Sequence, residues 1–181
     1  MRTSLEMEDV EMVYDDIVKF HGHSCPGTAI GFKVGEIVIE EFGRSKDEEI
    51  VAIVENNSCS IDAIQFMTGC TFGKGNLIFK DYGKHVYTFM DRRSGKSIRI
   101  SLDNSVQELM EKFKTSRDEL PGKILEMNPY EIFTVKSVNV KPPEEANIYN
   151  SLRCAECNEL VAEHRARIKN GKIVCIPCFK K

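Results

Sequence analysis

The sequence lacks any hydrophobic run long enough to cross a membrane. Its longest unbroken aliphatic stretch is IVAIV, at Ile50–Val54, whereas a bilayer-spanning helix needs about 20 apolar residues. The N-terminal stretch MRTSLEMEDVEM has acidic residues where a secretory signal peptide would be apolar. These absences argue against membrane association and predict a cytoplasmic location.

The sequence also lacks the even cysteine pattern of a secreted disulfide framework. It has seven cysteines, an odd number, and most of them lie in CxxC pairs or beside histidines. Metal or redox use in a reducing compartment therefore fits better than disulfides. Histidine is scarce, with four in 181 residues, yet two of them stand one residue apart in FHGHSCPG, Phe20–Gly27.

Internal repeats and low-complexity segments are absent as well. The composition, 41% hydrophobic and 29% charged, is that of an ordinary globular protein. At 181 residues the chain is long for one small domain and short for two full ones. The linker-like stretch PPEEANIYNS, Pro142–Ser151, predicts a core domain over residues 1–147 and a small domain over residues 148–181.

Two of the predicted helices begin next to a cysteine. Pro26 stands at a position that the first turn of a helix tolerates, and the apolar face after it predicts a helix that ends at Gly43. The segment SCSIDAIQFMTG predicts a shorter helix that ends at Gly69. Cys25 and Cys59 are therefore both expected at helix starts.

The rest of the core domain predicts two more helices and a mainly antiparallel sheet. Amphipathic patterns predict helices over Leu5–Phe20 and Ser105–Ser116. The predicted strands are rich in β-branched residues or alternate, and they lie in EIVAIVEN, LIFKDYG, HVYTFMDR, KSIRISL and EIFTVKSVNVKPP. Helices and an antiparallel sheet in separate runs indicate an α+β fold.

The C-terminal segment has the cysteine spacing of a zinc finger. CAEC and CIPC form C-x2-C-x17-C-x2-C, with the ligands Cys154, Cys157, Cys175 and Cys178. A hairpin is predicted between the pairs, with its turn at Asn170-Gly171. We therefore predict a small treble-clef or zinc-ribbon domain. Four thiolates would make its zinc structural.

The finger is basic and the rest of the chain is acidic. From Ser151 to Lys181 there are seven Lys and Arg against three Glu, a net charge of +4, and the remainder of the chain carries −7 of the total of −3. Contact with nucleic acid or an acidic partner protein is one interpretation. Since no aromatic residue alternates with the basic ones, a solvated basic face is the other, and His164 is predicted to lie at the surface.

The stretch FHGHSCPG predicts a second site in the core domain. Imidazole and thiolate both bind zinc or a similar metal, and the positive end of a helix dipole favours thiolate. His23, Cys25 and Cys59 are the predicted metal ligands, and His21 lies close by. The alternative is that the histidines cap and hydrogen-bond backbone and that Cys25 is simply buried.

Three further residues are weaker candidates, and a fourth, His85, is not a candidate. Cys70, in the glycine-rich turn GCTFGKGN, is equally well interpreted as a packing residue. Lys74 could hold an anion there, although the turn does not match a phosphate loop. Asp62 either caps its helix, which we favour, or serves as a base or partner of a ligand. His85 is predicted to be a surface residue.

The motifs FHGHSCPGTAIG and VENNSCSIDAIQFMTGCTFGKGNLIFKDYGK, together with the finger, resemble the FmdE-like proteins, the family named after one component of formylmethanofuran dehydrogenase, over essentially the whole chain. The resemblance implies an α+β core that forms an intertwined homodimer, with a cavity lined by the histidines and cysteines of these motifs. Carried over to this sequence, the catalytic candidates are His21, His23, Cys25, Cys59, Asp62, Cys70 and Lys74.

The family's name implies an association with a molybdenum or tungsten enzyme that reduces carbon dioxide onto methanofuran. No molybdopterin-binding or iron–sulfur pattern occurs in the sequence, so other subunits would hold those redox cofactors. The first hypothesis is a metal-binding accessory or catalytic component of C1 or redox metabolism that acts on a small-molecule substrate. The alternative is a metal- or redox-responsive regulator whose finger contacts nucleic acid or protein.

Overall fold

The computed structural model describes residues 7–145 and 147–181. The chain divides into two compact units, of which the first ends at Glu145 and the second at Lys181. The predicted helix start at Leu5 and the N-terminal stretch compared with a signal peptide fall wholly or partly outside the described residues. None of the described helices is long and apolar enough to cross a membrane.

The first unit is an α+β domain, as predicted. Its helices are α1 Met7–His21, α2 Pro26–Phe42, α3 Ser60–Thr68, α4 Val106–Phe113 and α5 Leu120–Glu126. Its strands are β1 Ile50–Val54, β2 Leu77–Phe79, β3 Val86–Asp91, β4 Ser97–Leu102 and β5 Phe133–Ser137, in the spatial order β2-β1-β3-β4-β5. The helix α5 was not predicted from the sequence.

The sheet is antiparallel except at one edge. The strands β3, β4 and β5 pair antiparallel with their neighbours, whereas β2 runs parallel to β1, with Val54 opposite Phe79. The prediction of an antiparallel strand at Leu77–Phe79 was therefore wrong. The connection between β1 and β2 contains α3, and a crossover of this kind returns a strand in the parallel direction.

The core lies between the sheet and the helices, and α2 is its centre. Eleven of the seventeen residues of α2 are buried. Extended backbone at Cys25, Pro26 in the first turn and a hydrogen bond from Thr28 Oγ1 to the Cys25 carbonyl (2.8 Å) start this helix. Gly43, at a φ of +80°, ends it as predicted.

Three glycines spaced four residues apart bring the backbone of α2 against α3. A Cβ atom at Gly27 would lie 2.8 Å from Cys59 Cβ, one at Gly31 2.2 Å from the Ser60 carbonyl oxygen, and one at Gly35 2.6 Å from Met67 Cβ. No larger side chain fits between these helices. The stripe therefore sets the distance between the two helix starts that carry Cys25 and Cys59.

We expect Gly31→Ala to destabilise the core domain by about 1–3 kcal/mol, because the added methyl group must displace backbone. Urea unfolding monitored by circular dichroism measures this change. The matched control is Gly122→Ala in α5, where the new Cβ would meet nothing within 4 Å. The control should be neutral or more stable by about 0.4–1 kcal/mol, and equal loss in both variants would contradict this account of the helix contact.

The second unit consists of two hairpins and a terminal helix. One hairpin pairs β6 Ser151–Arg153 with β7 Leu160–Ala162, and the other pairs β8 Arg167–Lys169 with β9 Lys172–Val174. Asn170 and Gly171, both at positive φ, form the predicted turn. The helix α6, Ile176–Lys180, begins directly after Cys175.

Candidate metal centres

Four side chains of the FHGHSCPG and SCSID motifs converge in the first unit. The potential ligand atoms of His21, His23, Cys25 and Cys59 all lie within 4.8 Å of one another. His23 is exposed and the other three are partly buried. The sequence-based prediction placed His23, Cys25 and Cys59 in the metal site, and the structure brings His21 into the same cluster.

Three helix ends position this core cluster. His21 is the last residue of α1, and Gly22, at a φ of +102°, turns the chain so that the His23 ring lies 4.6 Å from the His21 ring, tilted by 44°. Cys25 and Cys59 are the N-cap residues of α2 and α3, as predicted. Contact of the two helices at Gly27 brings the two sulfur atoms to the same place.

Asp62 orients the His21 ring. Its Oδ2 atom lies 2.7 Å from His21 Nδ1, and the His21 side chain is only 11% exposed. Because a carboxylate accepts hydrogen bonds, Nδ1 donates to Asp62, and Nε2 is the ring nitrogen that remains for another partner. Capping was the favoured interpretation of Asp62, but its hydrogen bonds among the described residues go to His21 and Gln65 instead.

The cluster fits a metal ion. His21 Nε2 is buried and has no hydrogen-bond partner among the described residues, and a buried polar atom without a partner is costly. It lies among one other imidazole and two sulfur atoms, a donor set that suits zinc and related ions. A carboxylate behind a histidine ligand is the usual arrangement in such sites.

The Cys59 thiol does not show the lowered pKa that was expected at a helix start. Burial, with a smaller contribution from neighbouring Cys25, raises the pKa of the Cys59 thiol above its ordinary value.

Two other predicted site residues, Cys70 and Lys74, do not belong to the core cluster. Cys70 is completely buried, its thiol donates to the Ile50 carbonyl (3.5 Å), and burial raises its pKa to about 11, so it behaves as a packing residue. Lys74 Nζ donates to the Asp47 carbonyl (2.9 Å) and supports a loop. His85 is not a surface residue as predicted, because it is half-buried, lies 3.3 Å from the Tyr87 hydroxyl and has its pKa lowered by burial.

A pocket of about 380 Å³ opens beside the core cluster. It lies at the carboxyl ends of the parallel strands β1 and β2, a common place for ligands in sheets with parallel strands. His21, Cys59 and Asp62 form one part of its wall. The other lining residues are Val54, Asn56, Asn57, Ser58, Ile61, Gln65, Phe72, Leu77 and Phe79.

Sequence reasoning did not identify Gln65, Phe72 or Phe79 as site residues. Gln65 connects the pocket to the cluster, because its Oε1 accepts from the Phe72 backbone N–H (3.0 Å) and its Nε2 donates to Asp62 (3.4 Å). One feature of the sequence could have identified Phe72. It is an aromatic residue in the glycine-rich turn GCTFGKGN, where it cannot pack into the core.

The second unit contains the second cluster. The Sγ atoms of Cys154, Cys157, Cys175 and Cys178 lie within 4.8 Å of one another, as the spacing predicted. Backbone N–H groups of Cys157 and Cys175 lower the pKa of Cys154 to about 6, which favours its thiolate. Four sulfur donors at these distances fit a structural zinc ion.

His164 is not part of the finger cluster. It is exposed, and its ring stacks on Tyr149 at 3.7 Å. The predicted surface position is confirmed.

Comparison with known proteins gives two family matches. The family model described as "FmdE, Molybdenum formylmethanofuran dehydrogenase operon" matches residues 20–134. The model described as "Prokaryotic dksA/traR C4-type zinc finger" matches residues 147–181. The first match contains the core cluster and the second contains all four finger cysteines.

Individual proteins match over most of the chain. A relative from Archaeoglobus fulgidus, named "Probable S-adenosyl-L-methionine-binding protein", is 34% identical over 189 residues, which cover 88% of this chain and 50% of the relative. The chain thus spans about half the length of that curated relative. The crystal structure of a "tungsten formylmethanofuran dehydrogenase subunit e (fmde)-like protein" from Syntrophus aciditrophicus is 26% identical, with a TM-score of 0.70, over 94% of this chain and 91% of that one.

Proposed function

The chain belongs to the FmdE family, and from this premise we propose that its core domain holds a transition metal beside a pocket for a small organic molecule. The protein would serve as an accessory or catalytic component of C1 or redox metabolism. The observation that supports this proposal most directly is the buried, unpartnered Nε2 atom of His21, which faces two sulfur atoms and a second imidazole.

The pocket touches only one side of the proposed centre. His21 and Cys59 line it, whereas His23 and Cys25 do not. A molecule in the pocket therefore approaches the centre from the His21 and Cys59 side. A bound metal there would act as a Lewis acid or hold a ligand sulfur as thiolate.

The residues around the centre have separable roles. Asp62 accepts a hydrogen bond from His21 Nδ1, which leaves the Nε2 atom to bind the metal. Gln65 holds both Asp62 and the backbone of Phe72, which connects the orientation of His21 to the shape of the pocket. Val54, Ile61 and Leu77 give the pocket beside the centre an apolar part.

The link to C1 metabolism rests on the names of the matching family and of the similar structure. The described residues contain two clusters of potential metal ligands, and the match of the four-cysteine cluster to a zinc-finger family assigns it to zinc. In a formylmethanofuran dehydrogenase, other subunits would therefore hold the redox cofactors. The name of the Archaeoglobus relative gives no ligand for this chain, which spans only half of that protein.

A regulator that binds nucleic acid through its finger is the second candidate, favoured by the dksA/traR-type match and the net charge of the finger. Some of the basic side chains are already engaged. Arg153 donates to the Asn158 carbonyl, and Lys169 contacts Glu156 and the Cys178 carbonyl. Binding to DNA or RNA that weakens steeply with salt and disappears without the finger would support this candidate.

Metal content per chain tests the first proposal. We expect two metal ions in the full chain and one in a chain that ends at Asn150, since the first unit is compact by itself. Elemental analysis of both proteins gives the numbers. One ion in the full chain and none in the shorter one would contradict a core centre and leave Cys25 and Cys59 as ordinary thiols.

Asp62→Asn should weaken metal binding in the core by about 10- to 100-fold, because the negative partner that fixes the His21 ring is lost. Competition with a chelator of known affinity measures the change. Asp81→Asn, at an exposed acid outside the pocket, is the matched control. Equal affinities in the two variants would show that Asp62 does not support a ligand.

A further inference from the structure

We infer that the pocket beside the core cluster takes an uncharged molecule with a flat aromatic ring at one end and a metal-directed nitrogen or sulfur atom at the other. This inference rests on the proposed function and adds the chemical class of the ligand. Three features of the pocket support it: two exposed aromatic rings, a lack of lysine and arginine among the described lining residues, and two polar residues, Asn56 and Gln65, that are already hydrogen-bonded.

Two phenylalanines stand exposed at the pocket. Phe72 is 78% exposed and Phe79 is 43% exposed, although burying a phenylalanine side chain is worth about 1.5–3 kcal/mol. The backbone holds both in place. Phe79 is paired in register with Val54, and the Phe72 N–H is bound by Gln65. Exposed rings on a fixed backbone are typical of a surface that another ring covers.

The turn that presents Phe72 is also fixed at its beginning. Gly69 has a φ of +74°, and a Cβ atom there would lie 2.3 Å from the Ser45 carbonyl oxygen. Only glycine fits this close approach. Phe72 therefore has a defined position in the wall of the pocket.

The described lining of the pocket has no basic side chain for an anion. Among the described lining residues there is no lysine or arginine, and the one charged group is the carboxylate of Asp62. Phosphates are bound in proteins by basic side chains or convergent backbone N–H groups. The lining side chains therefore give a phosphorylated molecule no cationic partner, and the carboxylate of Asp62 would repel it.

Two polar lining residues, Asn56 and Gln65, are already hydrogen-bonded to the protein. Asn56 donates to the Lys84 carbonyl (2.8 Å), and its oxygen accepts from Ser58 (2.7 Å). Both ends of the Gln65 amide are occupied as well. A ligand rich in hydroxyl groups would find few free partners, whereas Val54, Ile61 and Leu77 give an apolar molecule contact area.

The class of ligand that remains has an apolar ring between Phe72 and Phe79 and a neutral donor atom near His21 and Cys59. Imidazole and 4-phenylimidazole share one metal-binding group and differ in the ring, so they separate the two contributions. 4-(Imidazol-4-yl)benzoic acid adds a negative charge to the same skeleton.

The test uses the full chain loaded with cobalt(II). A nitrogen donor that binds the core centre, as a fifth ligand or in place of the exposed His23, should shift its d–d absorption, while the four-thiolate finger serves as an internal reference. We expect 4-phenylimidazole to bind about tenfold or more tightly than imidazole, because its ring removes apolar surface from water. The charged analogue should bind at least about tenfold more weakly than 4-phenylimidazole.

The double variant Phe72→Ala/Phe79→Ala should reduce the preference for the phenyl ring to less than about threefold, since both ring contacts are lost. Phe20→Ala is the matched control, because Phe20 is exposed but does not line the pocket. An unchanged preference in the double variant, or equal affinity of wild type for the two imidazoles with two cobalt ions bound, would overturn the inference alone.

A single cobalt ion per chain, confined to the finger, would overturn the proposed function and the inference together. The alternative is that a second copy of the chain covers Phe72 and Phe79. Light scattering on the same samples measures the oligomeric state and tests it. Dissociation of an oligomer in Phe72→Ala/Phe79→Ala, with no change in ligand binding, would assign the two rings to an interface between copies of the chain and overturn the inference.

Discussion

Cys175→Ser should release the zinc ion of the finger and unfold the second unit. The described core of this unit consists of Cys154, Cys175, Cys178 and Val174, with Val161 packed against them, which is too little apolar surface to hold a domain together. Metal binding by such fingers contributes on the order of 10 kcal/mol. We therefore expect loss of one metal ion per chain and of hydrogen-exchange protection across β8, β9 and α6.

The control for this variant is His164→Ala. His164 is a potential ligand in the same unit, but it is exposed and lies outside the four-sulfur cluster. It should keep its zinc and its protected amides. A folded, protected finger in Cys175→Ser would show that the unit does not depend on four thiolates.

Cys25→Ser/Cys59→Ser should remove the metal from the core domain and leave the domain folded. Both sulfur donors of the proposed centre are lost, and a hydroxyl group is a poor replacement for a thiolate ligand. The fold does not depend on them, because the first unit has an extensive core that includes Phe32, Tyr87 and Phe89. Elemental analysis should give one metal ion per chain, and circular dichroism should show a cooperative unfolding transition.

Cys70→Ala provides the opposite result and serves as the control. Cys70 is a completely buried thiol outside the core cluster, so its loss should cost about 1–3 kcal/mol of stability and no metal. Two metal ions in Cys25→Ser/Cys59→Ser, or one in Cys70→Ala, would place the centre on other residues than those proposed.

The sequence was sufficient for the features that depend on local pattern. The helix starts at Cys25 and Cys59, the α+β class, the family and the four sulfur positions of the finger are confirmed. Each of these is encoded within a short segment, by a proline, a glycine or a fixed cysteine spacing. The domain boundaries and the catalytic roles of the site residues remain predictions.

What the sequence did not reveal depends on distant contacts. The parallel direction of β2 follows from the path of the chain through α3, which no pattern in Leu77–Phe79 records. The partner of Asp62 is 41 residues away along the chain, so a local interpretation favoured capping. The helix α5 is short and contains Pro121 and Gly122, which weaken its amphipathic signal.

The glycine stripe on α2 also determines how the core centre tolerates ions of different radius. With no side chain between α2 and α3 at Gly27 and Gly31, the separation of Cys25 and Cys59 is fixed by main-chain contact, which cannot shrink and can widen only if the two helices part. Rotamer changes alone adjust the site by small amounts. We therefore expect the core centre to select ions by their size as well as by their preference for sulfur and nitrogen, because the helix pair fixes the distance between the two sulfur atoms.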